Sequence, residues 1–428
     1  MTRMLKNIKS SYILKQIFGN IINKKKLKLI KYDKKISDKM DITLQNYKEE
    51  FFKEFKTKFD IKLTDINNQL LNLKNKKVDN AKLDFLCKVK FESLNALYLN
   101  NNEITEIKAI EKVSYKGIKY LNLSGNKITD IEPITKANFA ELKILYLMNN
   151  EISEIKTLNN PNFKKLKELN LGKNKISDIT VLKNANLENL NALYLNDNNI
   201  TDINILEDVN SPFLKILDLN NNKIKDINAL SKVNFKELKV LYLKGNGIND
   251  IEILKQVNFP KLKELNLNNN IIQNIEVLEN VKFKQLKVLD LNHNNISDIK
   301  ILSKVNFKKL KYLNLGHNRI SDISIFKDVN FKDLFLLNLK YNFITDIKVF
   351  KEMNLKNLRK LYLTGNGSHF ELLQVIRQLI RENRFLKIIY YREKPIKKFN
   401  FMGALHRTFI DDFHDINEEF IDDYSENE

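Results

Sequence analysis

The residues of this chain best suited to chemistry are two histidines at equivalent places in neighbouring copies of one pattern, His293 and His317, with Asp290 just before the first. Two imidazoles and one carboxylate are the donor set of a non-haem metal site. A second candidate is a column of acids at the same interval, Glu106, Asp130, Glu154, Asp178, Asp202, Asp226, Asp250, Asp298, Asp322 and Asp346. It would be a calcium ladder if several oxygens converged on each ion. The single Cys87 and His414, set among Asp411, Asp412 and Asp415, complete the inventory. None of these carries a reaction through. The histidines fall at positions open to solvent, without the second layer of hydrogen-bonding partners that a metal site needs. The acids most simply accept the free N–H groups that open a helical turn. Cys87 falls in the column of Glu111 and Thr135, a solvent-side position unsuited to a nucleophile. There is no Gly-rich phosphate loop and no nucleophile elbow. The expectation is a chain that is not an enzyme, with no catalytic residue, metal, cofactor or small-molecule substrate.

The interval that relates the histidines runs through most of the chain. From Asn102 to Asn366 the pattern L-x-x-L-x-L-x-x-N-x-I-x-x-I recurs at that interval without an insertion, as in "LKELNLGKNKISDI" (166–179) and "LKYLNLGHNRISDI" (310–323). Its second leucine (Leu97 through Leu361), third leucine (Leu99 through Leu363) and asparagine are unvaried over twelve copies. A fixed period of this length marks stacked units that share one core. Alternation in L-x-L predicts a short strand with Leu169 and Leu171 inward and Glu168, Asn170 and Gly172 outward. Ile179, Leu182 and Ala185, three apart, suit a 3₁₀ or one-turn helical return. Phe163, Phe235 and Phe331 plug the core before the next leucine, and the asparagine satisfies backbone groups at the corner.

This sequence resembles the leucine-rich repeat family, with "NKITDIEPI" (126–134) closest to the phosphatase-1-regulator and internalin types. The resemblance implies an α/β solenoid: an arc with a parallel concave β-sheet and short 3₁₀ or helical convex turns, plus a small helical N-terminal domain. The divisions expected are 1–69 (helical, F-box-like or cap), 70–400 (repeats) and 401–428 (an acidic amphipathic tail). Leu70, Leu73, Leu83, Leu86 and Val89 suggest a degenerate first copy in register with the repeat columns. "SHFE" (368–371) reads as a capping box opening a helix, and "LKIIYY" (386–391) as a last strand after a repeat lengthened by four positions. Residues 10–40 resemble a divergent F-box through Leu14, Ile17 and Phe18, although the usual Leu-Pro pair and the Trp are missing. That resemblance implies docking of a ubiquitin-ligase adaptor.

The positions left free by the scaffold lie on the concave face. They include Tyr98, Tyr120, Ile144, Tyr146, Tyr194, Ile216, Val240, Tyr242, Tyr312 and Tyr362, among amides, with five acids against four bases. The whole chain has a formal net charge of +20. Its lysines, however, gather elsewhere: in residues 1–40, and one place after the first leucine at Lys119, Lys143, Lys167, Lys215, Lys239, Lys263, Lys287 and Lys311. Nucleic-acid affinity rests on Lys and Arg against phosphates, so the concave face predicts a protein ligand, with nucleic acid disfavoured. Tyrosine and aliphatic side chains rimmed by polar groups compose such surfaces. The reading is a protein-binding scaffold or adaptor with F-box activity open. The alternatives are a phosphatase-regulator-like binder, or a binder of nucleic acid or acidic membrane through the basic N-terminus. One cysteine, no signal-peptide core and no membrane span point to the cytoplasm or the nucleus.

Overall fold

A Leu-x-Leu unit can extend for only three residues before the asparagine turns the chain. In the computed structural model each copy contributes one strand of that length. The structure describes residues 53–61, 69–367 (apart from 90, 92, 114, 138, 354 and 355) and 387–389. Among them, β1 (Leu70–Asn72), β2 (Ala96–Tyr98) and so on at each turn to β13 (Lys360–Tyr362), then β14 (Lys387–Ile389), form one parallel sheet in chain order. The register follows the repeat, with Ile144 opposite Glu168, Leu145 opposite Leu169 and Tyr146 opposite Asn170. Every strand of the repeat thus sends its middle leucine into the core, where Leu145 and Leu169 are fully buried.

The asparagine column ties each turn to the one before. Asn174 donates from Nδ2 to the carbonyls of Leu147 (3.0 Å), Leu171 (2.9 Å) and Gly172 (3.1 Å). Its Oδ1 accepts the Ile152 N–H at 3.1 Å. These groups lie at a buried corner where the strands have ended, so no ladder partner reaches them. Two residues after the third leucine the backbone must enter the left-handed region. Asn101, Asn149, Lys173, Asp197, His293, His317 and Tyr341 all do so, with φ between 50° and 57°, and Gly125, Gly245 and Gly365 do so without strain.

The convex returns are mostly 3₁₀, as at Thr180–Asn184 and Lys300–Ser303. Within the regular repeats a short α-helix stands instead at Glu132–Lys136, where Pro133 sits in the first turn, the helical position that tolerates proline. Asp178 Oδ1 accepts the Thr180 N–H at 2.8 Å, and Asp202, Asp226, Asp250, Asp298, Asp322 and Asp346 repeat the contact. The acidic column caps these turns. Phe163, Phe235 and Phe331 are buried as plugs.

Both ends depart from the expected register. β1 pairs Leu71 with Leu97, a longer step than the one between later strands. Leu71 and Leu73 therefore enter the core, while Leu70 stands on the concave side, half exposed. Helix α1 (Asn80–Cys87) replaces the first 3₁₀ return, and Cys87 at its end is partly buried against the core, not on the solvent side. Burial pushes its thiol up to about 12. Helical residues 53–59 belong to the same core: Phe55 and Phe59 are buried with their rings tilted together at 4.6 Å, and Phe85 and Phe91 lie around them. The core therefore extends past the division expected at 69. At the far end Leu361 pairs with Ile388, one position short of the lengthened step expected there. The capping box at 368–371, the tail 401–428 and the F-box-like residues Leu14, Ile17 and Phe18 lie outside the described residues.

Candidate protein-binding face

With the middle residue of each strand turned inward, its two neighbours project from the concave surface. In the first half these positions form a continuous line of rings. Tyr98 and Tyr120 lie 4.6 Å apart, and Tyr120 meets Tyr146 edge-on at 5.5 Å. Tyr146 donates its hydroxyl to Glu168 Oε2 at 2.5 Å, and burial followed by that carboxylate holds the phenol far above its ordinary range. Tyr194 stands on the other side of Glu168. Burial, then Glu168 and Asp218, push it up to about 12. Ile144 and Ile216 are half-buried beside these rings.

Four repeats further on the couple recurs, Tyr242 donating to Glu264 Oε2 at 2.7 Å. Glu264 is buried, which raises its pKa against the opposing effect of the tyrosine bond. Adjacent parallel strands are about 4.8 Å apart, so the two couples stand roughly 19 Å apart along the sheet. The signal is present in the sequence, twice, as a tyrosine followed by a glutamate slightly less than one full repeat later. Only the sheet shows that this offset is a diagonal contact between neighbouring strands.

Two residues expected at this surface are not exposed. Val240, the shorter side chain between Ile216 and Glu264, is 4% exposed. Tyr312 is 6% exposed, in an apolar cluster with Leu336, Val288, Phe335 and Tyr362 that is separate from the main core. Tyr362 remains half-buried. The concave face thus changes along its length, from a tyrosine-lined first half to a closed apolar patch near the C-terminal end.

His293 and His317 stack face to face at 3.8 Å, and Tyr341 continues the stack at 4.4 Å. These rings follow from the left-handed corner, which places successive side chains directly over one another. The Asp290 carboxylate accepts the Asn292 N–H at 3.0 Å and Asn268 Nδ2 at 3.2 Å. Among the described residues no group of three or more metal-ligating side chains could hold an ion. Burial pushes Asp290 up to about 6 and His317 down to about 4.

A coil of parallel strands, asparagine corners and short convex turns, with its sheet laid open along one side, defines a solenoid of binding type. The model of paired leucine-rich repeats matches residues 140–184, 188–232, 236–280 and 284–328, and a second leucine-rich repeat model matches 92–152. The chain belongs to the leucine-rich repeat family. It is similar to an internalin from Listeria monocytogenes, at 30% identity over 71% of this chain and 88% of that one, with a TM-score of 0.55. It is also similar to a leucine-rich repeat protein of Leptospira interrogans, at 25% identity over 75% and 83% of the two chains, with a TM-score of 0.62. The ectodomain of a plant membrane receptor kinase from Arabidopsis thaliana shares the fold at 20% identity over 70% and 38%, with a TM-score of 0.51. Comparison with curated protein sequences returns no match.

Proposed function

We propose that this protein is a non-enzymatic scaffold that binds a protein partner on its concave face, chiefly over the strands from Ala96–Tyr98 to Glu264–Asn266. The observation that carries the reading is the line Tyr98–Tyr120–Tyr146, continued by Tyr194 and Tyr242, with two of its hydroxyls anchored on glutamates. Rings held in place lose little side-chain entropy on binding, and tyrosine is enriched where binding energy concentrates. Leu14, Ile17 and Phe18 are assigned to an adaptor, on the F-box resemblance of residues 10–40. The compartment is assigned as cytoplasmic, because one half-buried cysteine suits a reducing environment.

The test replaces Tyr146, Tyr194 and Tyr242 by Ala in the full chain and measures affinity for a partner isolated with the unaltered protein. The expected result is a loss of about tenfold or more with the coil still folded and its melting temperature lowered only by what buried Glu264 loses with the Tyr242 hydroxyl. A variant that keeps both its stability and its affinity removes the concave face from the function.

A further inference from the structure

In the first half of the sheet a tyrosine follows the middle leucine on every second strand, at Tyr98, Tyr146, Tyr194 and Tyr242. The strands between carry a shorter polar residue at that place. Tyr146 lies opposite Asn170, Asn170 opposite Tyr194, Tyr194 opposite Asp218 and Asp218 opposite Tyr242. Successive rings of this column are therefore two strand steps apart, about 9.6 Å at the backbone. The first interval is filled by Tyr120, whose ring meets both Tyr98 and Tyr146. The next two have Glu168 and Ile216 in the place of Tyr120, and each forms a notch between taller rings.

The floors of the two notches differ in chemistry. Asn170 Oδ1 accepts the Gly172 N–H at 3.0 Å, which leaves Nδ2 as a donor for a ligand. Asp218 Oδ1 accepts the Asn220 N–H at 2.9 Å, which leaves Oδ2 as an acceptor. Along this stretch the concave positions hold Glu168, Asp197, Asp218 and Glu264 against Lys173 and Lys244. The face here favours a basic ligand, most of all in the second notch.

The interval selects the ligand's backbone. A polyproline II helix repeats every three residues, about 9.3 Å, within about 0.3 Å of the ring spacing. Over both intervals the mismatch is only about 0.6 Å. An α-helix returns to the same face after seven residues, about 10.5 Å, and is out by about 2 Å over the same distance. Alternate residues of an extended strand recur at about 6.7 Å and fall out of step at once. Polyproline II also has no internal hydrogen bonds, so its carbonyls need donors such as Asn170 Nδ2. Proline rings pack against aromatic walls, the usual way in which such segments are held.

We infer that the concave face takes a proline-rich segment in the polyproline II conformation, lying across the strands from Tyr146 to Tyr242. Two prolines three residues apart enter the two notches, and a basic residue beside the second meets Asp218. This rests on the concave-face reading above and narrows its partner to one class.

The probe is a fluorescein-labelled peptide, Ala-Pro-Pro-Ala-Pro-Pro-Ala-Arg, titrated with the full chain. Its control, Pro-Ala-Pro-Ala-Pro-Ala-Pro-Arg, has the same composition but never two prolines three places apart. The first peptide should bind at least about tenfold more tightly than the second. Tyr194→Ala should abolish that preference, and it leaves both tyrosine–glutamate couples in place. Asp218→Asn should remove the advantage of Arg over Glu at the peptide's end while keeping the preference for phased prolines. Equal affinity for the two peptides, no binding of either, or an unchanged preference in Tyr194→Ala overturns the inference. If neither peptide binds while the triple tyrosine variant still loses its isolated partner, this inference falls and the concave-face reading stands. If that partner is also retained, both fall.

Discussion

Asn174 closes four hydrogen bonds at a buried corner, which makes it the residue whose loss is easiest to forecast. Asn174→Ala should cost at least about 1–3 kcal/mol, because the carbonyls and the Ile152 N–H stay buried without a partner. Turns couple mainly to their neighbours, so hydrogen exchange should speed up in the strands on either side of Asn174 while the ends keep their protection. Asp290 makes the opposite forecast. Its carboxyl is raised to about 6 from 3.8 by burial. Above pH 6 the folded state holds a buried charge, and as pH falls through 6 the folded form takes up the proton first. Asn, the residue found in this column at Asn266, Asn314 and Asn338, still accepts the next N–H. Asp290→Asn should therefore stabilise the protein by about 1–3 kcal/mol above pH ~6, with the gain gone below pH ~4. Denaturation of both proteins across that range checks the sign. His317 shifts in the reverse direction, but it is common to both and cancels.

At the scale of elements, the ends of the coil matter more than its middle. An open end would expose leucines, and the N-terminal end is closed by residues 53–59, β1 and α1, with Phe55 and Phe59 in the shared core. Deletion of residues 1–40 should therefore leave a folded, soluble coil, as judged by its circular dichroism and melting temperature. Deletion of residues 1–60 should aggregate, since it strips the rings from Phe85 and Phe91. If the shorter deletion also aggregates, residues 1–40 are part of the cap. If it stays folded but no longer captures the ligase adaptor that the full chain captures, the docking role of Leu14, Ile17 and Phe18 stands.

Across the whole molecule, charge is sorted by edge. Lysines line the strand entry, while the acids of the exit side serve as caps for the convex turns, as Asp178 does for Thr180. A formal charge of +20 nevertheless attracts polyanions without specificity. Binding through about 6–10 phosphates loses roughly 10³–10⁵ in affinity between about 50 and 200 mM salt. RNA binding by this chain should collapse over that interval, whereas a complex built on the tyrosine line should change little. Tight RNA binding at the higher salt would move the function from the concave face to the lysines.

The sequence by itself determined the coil, because an unbroken period with leucines two apart leaves one way to bury them. It also determined the asparagine corners and the aspartate caps, whose partners are a few residues away or one full turn away. The ends were less legible. There the step between strands lengthens, from Leu71 to Leu97 and from Leu361 to Ile388. A slip of a single position decides which side chains face inward, as at Leu70 and Leu71. Tertiary structure alone decided which concave residues are surface. Val240 sinks between taller neighbours and Tyr312 closes into a cluster with Leu336, whereas Tyr146 is held upright by Glu168 from the next strand. Those outcomes depend on side-chain height across adjacent turns, a comparison between neighbouring copies that has no trace in any single repeat.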